Sequence, residues 1–462
     1  MDDIRLENPD AEFDEGEDPP TIDDDQDVDY LPEEDASDIE QEEIIEESEE
    51  SDESDEEIEG DVFDDPDDKD SFFYGTDGTK WSKDEPPTAV QIRQYNTLRF
   101  RSGPKQQLSD PREVFKKLFT PNISLIIISE TNRYGGEAVQ SWNQAHPDSK
   151  RKHWVDLSST ELDAFVGILL AMGASHNNMQ KASDLWRSDA LPIFRSAMSY
   201  HRFRVLTRYI RFDNGRTREL RKRVDKAAAI RDIWKLLNEN LKDNYDPHEN
   251  VTIEEQLFPY RGKTKFTQYI PSKPAKYGIK VWWACDSRTR YPLQGKLYCG
   301  RSEKGEREVG QNENVMMQLA NRYQKSGRTI IADDSFVTLD GAKRLAAIGL
   351  ELVGPIGSKK RCIPPEMKES SSRPVLSSVF GFHGNSVSIC SYVPRKNKAV
   401  NLLSTIEFFF GVDETFGRQF YRYIELHSFL LRELTPREPN ENREETDKVE
   451  LRKSTVKPAK TG

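Results

Sequence analysis

Apolar residues recur with a helical period between residues 111 and 248. Ser158 and Glu161 have the spacing of a capping box, and an apolar run follows them. Three such stripes are Leu162, Phe165, Val166, Leu169 and Leu170; Phe203, Leu206, Tyr209 and Ile210; and Ile230, Ile233, Trp234, Leu237 and Leu241. We interpret the stripes as core faces, so this segment is predicted to be a mainly helical domain.

The pattern then changes to short apolar runs typical of strands. They are Val251–Leu257, Ile279–Cys285, Tyr291–Tyr298, Arg328–Ala332, Leu350–Val353, Val379–Phe382 and Ser386–Val393. A helix is predicted at Thr338–Ile348, whereas Leu402–Phe410 fits either element. A helical region followed by strands, and then by strand–helix–strand, predicts an α/β domain at 249–431.

Charge divides the chain into two unlike parts. Residues 1–70 hold 37 of the 82 acidic side chains and only two basic ones, giving this segment a net charge of −35 and the remainder +19. Few large apolar side chains and strong self-repulsion predict a disordered tail at 1–75. The tail is a solvating extension, a nucleic-acid mimic that covers the basic body, or a ligand for basic chromatin proteins. The basic body favours nucleic acid as a partner.

The remaining boundaries follow from composition. A Gly/Pro-rich linker around Trp81 is predicted at 76–110, and a disordered charged tail at 432–462. The four cysteines lie far apart, which favours neither zinc nor a disulfide framework. No apolar run approaches the roughly 20 residues that cross a membrane, and the N-terminus lacks a secretory signal. We therefore expect a reduced intracellular compartment, and short basic runs permit nuclear import or are plain surface charge.

Candidate chemistry begins at the first predicted strand, which carries Glu254 and Glu255. Carboxylates can hold Mg²⁺, and basic residues beside them can hold a phosphate backbone. A charged surface hairpin explains the same residues. The basic residues predicted to contact DNA are Arg261, Lys263, Lys265, Lys273, Lys276, Lys280, Lys359, Lys360 and Arg361.

Two further carboxylates occur where a phosphoryl-transfer site would need them, because such a site takes about three from separate elements. Asp333 follows the strand that ends in Ala332, and Asp413 lies in the sequence GVDETFG. Taken singly, Asp333 fits a turn that starts a helix and Asp413 fits a loop cap. The set of three favours a metal site.

Ten segments together resemble the piggyBac family of transposases and transposase-derived proteins. They are DGTKW, DPREVFKKLFTPNI, ELDAFVGILLAMG, SYHRFRVLTRYIRFDN, IRDIWKLL, TIEEQL, FTQYIPSKPAKYGIK, CDSRTRY, IIADDSF and GVD. The resemblance implies an RNase H-like catalytic core preceded by helical dimerisation and DNA-binding regions. It also implies Mg²⁺- or Mn²⁺-dependent cut-and-paste transposition at TTAA sites through hairpinned DNA ends. The family's catalytic, metal-binding aspartates fall on Glu254, Asp333 and Asp413.

The chain departs from the family pattern at several points. Position 254 holds Glu instead of Asp, and Phe416 stands where the family has an acid. The extra methylene moves the carboxylate by more than about 1 Å, and such misplacement can lower a rate roughly 10²-fold. The C-terminal zinc module of the family is missing, so no zinc is expected. We predict a domesticated or decaying nuclear DNA-binding protein; the alternatives are an active transposase and a non-catalytic chromatin factor.

Overall fold

The computed structural model describes residues 71–86, 101–177, 180–260, 262, 264, 266–271, 273, 276–300, 310–368, 371–384 and 386–406. Residues 1–70 of the predicted N-terminal tail, the predicted C-terminal tail at 432–462, and Asp413 lie outside the described residues, as do Arg261, Lys263 and Lys265. Residues 71–75, predicted as the end of the disordered tail, are instead described and include the strand Phe72–Tyr74. No helix within the described residues is both long and apolar enough to cross a bilayer.

Among the described residues, seven α-helices lie between residues 111 and 244. They are α1 (Pro111–Leu118), α2 (Pro121–Ala145), α3 (Ser159–Ala174), α4 (Pro192–Ala197), α5 (Tyr200–Tyr209), α6 (Gly215–Lys222) and α7 (Arg231–Asn244). Apolar side chains of α2, α3, α4, α5 and α7 share one core, in which Leu162, Phe194 and Leu206 are almost fully buried. Helices α1 and α6 have no buried residue. The helical domain predicted from the apolar stripes is therefore present as helices.

The capping residue predicted for α3 is confirmed. Ser158 Oγ accepts a hydrogen bond from the Glu161 backbone N–H, which satisfies a donor that the helix cannot pair internally. The Glu161 carboxylate pairs with Arg202 of α5 instead of closing the capping box. Leu169 and Leu170, predicted as core, are 46% and 57% exposed. That prediction was wrong because α3 is apolar on more sides than its neighbours cover.

Eleven strands in the described part of the chain form one mixed sheet. They are β1 (Phe72–Tyr74), β2 (Lys80–Ser82), β5 (Asn250–Pro259), β6 (Thr267–Tyr269), β7 (Tyr277–Asp286), β8 (Pro292–Leu297), β9 (Thr329–Ala332), β10 (Glu351–Ile356), β11 (Ser378–His383), β12 (Val387–Arg395) and β13 (Lys398–Ser404). Two short strands, β3 (Gly103–Pro104) and β4 (Tyr245–Asp246), pair separately.

The strand order along the sheet is β1-β2-β11-β12-β13-β10-β9-β5-β7, and both β6 and β8 pair with the far side of β7. β5 pairs with β7 antiparallel and with β9 parallel, and β9 pairs with β10 parallel. Each predicted strand from Val251 to Val393 corresponds to one of these strands. The chain therefore has a mixed α/β fold built on one large sheet.

Helices α8 (Gln311–Ala320), α9 (Leu339–Ala347) and α10 (Pro365–Lys368) pack on one face of this sheet. The core beneath them includes Ile253, Ile330 and Leu352 from three neighbouring strands. Thr338 caps α9 by accepting a hydrogen bond from the Gly341 N–H. The strand–helix–strand order predicted from the sequence places β9 and β10 side by side at the centre of the sheet.

The segment around Trp81, predicted as a linker, belongs to the sheet instead. β1 and β2 form a hairpin that pairs with β11 through Ser82 and Phe382. Trp81 is completely buried, and its indole N–H donates to the Cys362 carbonyl at 2.8 Å. The Gly- and Pro-rich flanks suggested a linker, but a large aromatic side chain with a paired N–H is stabilised by burial.

Candidate catalytic and DNA-binding site

The pairing of β5 with β9 brings two of the predicted carboxylates together. Ile253 lies opposite Ala332 in this parallel pair. Glu254 is the next residue of β5, and Asp333 directly follows the end of β9. Because neighbouring strands lie roughly 5 Å apart, we expect the two backbones to be close to one another. Both side chains are half-buried. The sheet thus places these residues side by side at the edge where β9 ends.

Asp333 is held by the turn that it starts. Its carbonyl oxygen accepts hydrogen bonds from the N–H groups of Phe336 and Val337, at 2.9 and 3.2 Å. One carboxylate oxygen accepts from the Asp334 N–H at 2.9 Å. The turn predicted for this segment is therefore present. It leaves Asp333 with carboxylate oxygen lone pairs for a further ligand.

Glu254 and Glu255 point to opposite faces of the sheet because side chains alternate along a strand. Glu254 lies opposite Trp283 of β7, whose ring packs on Trp234 of α7 at 5.5 Å between centroids. Burial, with help from the charges of Glu254 and Asp286, raises the pKa of Cys285 to about 12. Glu254 and Glu255 are adjacent in the sequence, but their side chains therefore have different neighbours.

Glu255 forms ion pairs with two lysines on the face of the sheet opposite Glu254. Its Oε2 lies 2.9 Å from Nζ of Lys280, and its Oε1 lies 3.8 Å from Nζ of Lys273. Lys280 is only 6% exposed, and its ammonium lies near the rings of Trp282 and Tyr298. Because the Lys280 ammonium is buried and paired with Glu255, it cannot contact a phosphate at the surface. Lys280 is therefore excluded from the DNA-binding residues. The pair instead connects the motif TIEEQL to the motif YGIK.

Replacing Lys280 by Met is expected to destabilise the fold by about 2–4 kcal/mol, because the partly buried Glu255 loses its close cationic partner. The double variant Lys280→Met with Glu255→Gln should recover part of this loss. Urea unfolding of the two variants measures the difference. Equal stability of Lys280→Met and the unmodified chain would contradict this account of the pair.

The basic loop Lys359–Arg361 follows β10, which runs parallel to β9. The loop therefore starts from the end of β10 that corresponds to the Asp333 end of β9, and it continues to the hairpin of β1 and β2, where Thr76 contacts Arg361. Lys359 is exposed, and Lys360 and Arg361 are half-buried. Lys276 is exposed in the turn before β7, and the Lys273 side chain is 35% exposed. With Lys280 excluded, these five residues are the described part of the predicted DNA-binding set.

Comparison with known proteins matches this fold to transposases. The family model described as Transposase IS4 matches residues 110–429, more than two thirds of the chain. A cryo-EM structure of a piggyBac transposase synaptic complex with hairpin DNA is 32% identical in sequence. That match has a TM-score of 0.63 and covers 71% of this chain and 68% of the other. The chain belongs to the piggyBac family of transposases.

One buried carboxylate of this piggyBac-family fold was not predicted from the sequence. Asp286, at the end of β7, is fully buried. One carboxylate oxygen accepts hydrogen bonds from the backbone N–H and ring Nδ1 of His248, and the other accepts from the N–H and hydroxyl of Thr289. A carboxylate only accepts, so the His248 proton lies on Nδ1. The turn CDSRTRY was visible in the sequence, but its link to His248 was not.

The residues present fit a divalent cation in part. Glu254 and Asp333 supply carboxylate oxygens, the ligands that Mg²⁺ prefers. No group of three or more His, Cys, Asp or Glu side chains that could hold a metal occurs among the described residues. The third predicted ligand, Asp413, is not among them. Glu254 and Asp333 are therefore the two candidate metal ligands among the described residues.

Proposed function

We propose that this chain is a piggyBac-derived nuclear DNA-binding protein with an impaired transposase site in an RNase H-like core. The observation that carries the proposal is the pairing of β5 with β9, which sets Glu254 beside Asp333. This is the arrangement expected for the first two acids of a phosphoryl-transfer site. The first of them is Glu, where the family pattern has Asp.

The strand order supports the RNase H-like assignment. Neighbouring strands of the sheet follow the spatial order β8-β7-β5-β9-β10. The first three strands are antiparallel to one another in turn, and the last two are parallel to β5. In such a core, acidic residues of the first strand and of the next parallel strand meet at one site.

The impairment follows from the length of the Glu254 side chain. An additional methylene displaces the carboxylate from the position that Asp would give it, while Asp333 remains fixed in its turn. Mg²⁺ requires nearly ideal octahedral geometry, so a displaced ligand weakens its site. Glu254, Asp333 and Asp413 would hold two divalent cations, one of which would activate the attacking oxygen and the other stabilise the leaving oxygen of a phosphodiester. Glu254 is the residue we hold responsible for a low rate.

The DNA-binding part of the proposal rests on the described basic residues and on the DNA-bound relative. We expect the association constant for duplex DNA to fall steeply with salt, since bound phosphates release counterions. With about five contacts, the affinity should drop several-hundredfold between about 50 mM and about 200 mM salt. Fluorescence anisotropy of labelled duplex DNA measures this dependence.

Single variants test where these contacts lie. Lys359→Gln should reduce the slope of log affinity against log salt by about one. Lys325→Gln is the matched control, because Lys325 is exposed but precedes β9 and so lies at the opposite edge of the sheet. A slope that changes equally in both variants, or binding that does not respond to salt, would reject phosphate contact by Lys359.

A further inference from the structure

The acidic segment at residues 61–70 precedes a hairpin that contacts the basic loop Lys359–Arg361. The first described residue, Ser71, is fixed because its carbonyl accepts a hydrogen bond from the Lys83 N–H at 2.9 Å. From Ser71 the chain continues directly into β1 of the edge hairpin. The point from which the acidic segment departs is therefore set by the sheet.

The turn of that hairpin rests on the basic loop. Thr76 Oγ1 donates a hydrogen bond to the Arg361 carbonyl at 3.2 Å, and the Trp81 indole N–H donates to the neighbouring Cys362 carbonyl. Gly75 packs so closely that a Cβ there would lie 2.7 Å from the Arg361 carbonyl oxygen. Hairpin and loop are thus one packed unit, and the loop cannot move away from the hairpin without breaking these contacts.

The charge of the acidic segment and the length of chain that joins it to the hairpin both permit a contact with this loop. Residues 61–70 carry six aspartates and one lysine, and they end one residue before Ser71. Ser71 is about 13 Å of strand from the hairpin turn, whereas ten extended residues reach about 33 Å. The loop supplies three consecutive cations, Lys359, Lys360 and Arg361. A short tether keeps the local concentration of the acidic partner high.

We propose that residues 61–70 dock on the Lys359–Arg361 loop and compete there with nucleic-acid phosphates. The acidic segment then acts as an internal mimic of the DNA backbone at this basic loop. This inference rests on the proposed DNA-binding function, because competition requires that the loop bind phosphate. It assigns the regulation of DNA access to the ten residues nearest the hairpin and not to the total charge of the tail.

Two full-length variants with the same change in charge separate these cases. The first replaces by Asn the residues Asp61, Asp64, Asp65, Asp67, Asp68 and Asp70. The control neutralises, by Asn or Gln, the residues Asp2, Asp3, Glu7, Asp10, Glu12 and Asp14. Both variants gain six units of charge, but only the first changes the segment beside the hairpin.

Two measurements are made on each variant and on the unmodified chain. Without DNA, the rate at which an amine-reactive reagent modifies Lys359 is followed by mass spectrometry. With DNA, the dissociation constant for a labelled duplex is measured at low salt. The first variant should show severalfold faster modification of Lys359 and about tenfold tighter DNA binding. The control should match the unmodified chain in both.

Each outcome bears on the inference. Unchanged Lys359 modification in the first variant overturns docking, and so does an equal increase in the control, which would show an effect of total charge. Faster Lys359 modification in the first variant alone, with DNA bound by none of the three proteins, supports docking and rejects the proposed DNA-binding function. Faster modification with unchanged DNA affinity overturns the competition.

Discussion

Replacing Glu254 by Asp should raise the rate of Mg²⁺-dependent nicking of TTAA-flanked, hairpin-ended DNA about hundredfold. The shorter side chain withdraws the carboxylate by about the length of one methylene, toward the position that the family's Asp occupies beside Asp333. Ligand placement matters at this scale because Mg²⁺ tolerates little error in coordination geometry. Single-turnover cleavage of labelled DNA, with and without a chelator, measures the rate.

Two further variants show whether the gain arises at this site. Adding Asp333→Ala to Glu254→Asp should abolish nicking, since the neighbouring ligand is removed. Glu255→Asp shortens the adjacent residue by the same methylene but on the opposite face of the sheet, so it should give no gain. If Glu255→Asp raises the rate as much as Glu254→Asp, or if nicking survives Asp333→Ala, the assignment of this pair is wrong.

Replacing Asp286 by Ala is expected to lower the free energy of unfolding by about 3 kcal/mol or more. The change leaves the buried donors of His248 and Thr289 without their acceptor, and unpaired buried donors are costly. Asp148→Ala, at an exposed loop position, is the control and should change stability by less than about 0.5 kcal/mol. Urea unfolding followed by tryptophan fluorescence measures both.

The same carboxylate predicts a dependence on pH. Burial by itself would raise the pKa of Asp286, but the hydrogen bonds from His248 and Thr289 outweigh it, and the pKa lies below the ordinary value of 3.8. A lowered pKa stabilises the fold fully above the ordinary value, and this contribution is lost as the pH falls through the lowered pKa. The difference between the unmodified chain and Asp286→Ala should therefore shrink below about pH 4. A difference that stays constant down to pH 2 or so would contradict the carboxylate's role.

Much of the fold could be predicted from local patterns. The capping sequence at Ser158 and the apolar run of β5 specify their elements through interactions within a few residues. The exposure of Leu170 and the burial of Trp81 could not be predicted in this way. Both depend on which distant segment covers the side chain, and apolar periodicity carries no information about the partner.

The candidate site shows the same division. The acids Glu254 and Asp333 were recognisable because they follow apolar runs and match family motifs. The function of Glu255 and Lys280 was not, since a buried ion pair between β5 and β7 resembles two surface charges when read along the sequence. The hydrogen bonds between His248 and Asp286 also join residues from separate elements, and only the register of the sheet brings them together.

The unmodified chain is expected to hold DNA without cutting it efficiently. Labelled TTAA-flanked hairpin DNA is incubated with a saturating amount of the chain and Mg²⁺, and the bound and nicked fractions are resolved by electrophoresis from the same reaction. We expect the DNA to be fully bound at low salt while nicking remains about hundredfold slower than with Glu254→Asp. Nicking by the unmodified chain at the rate of that variant would contradict this expectation, as would DNA that stays unbound.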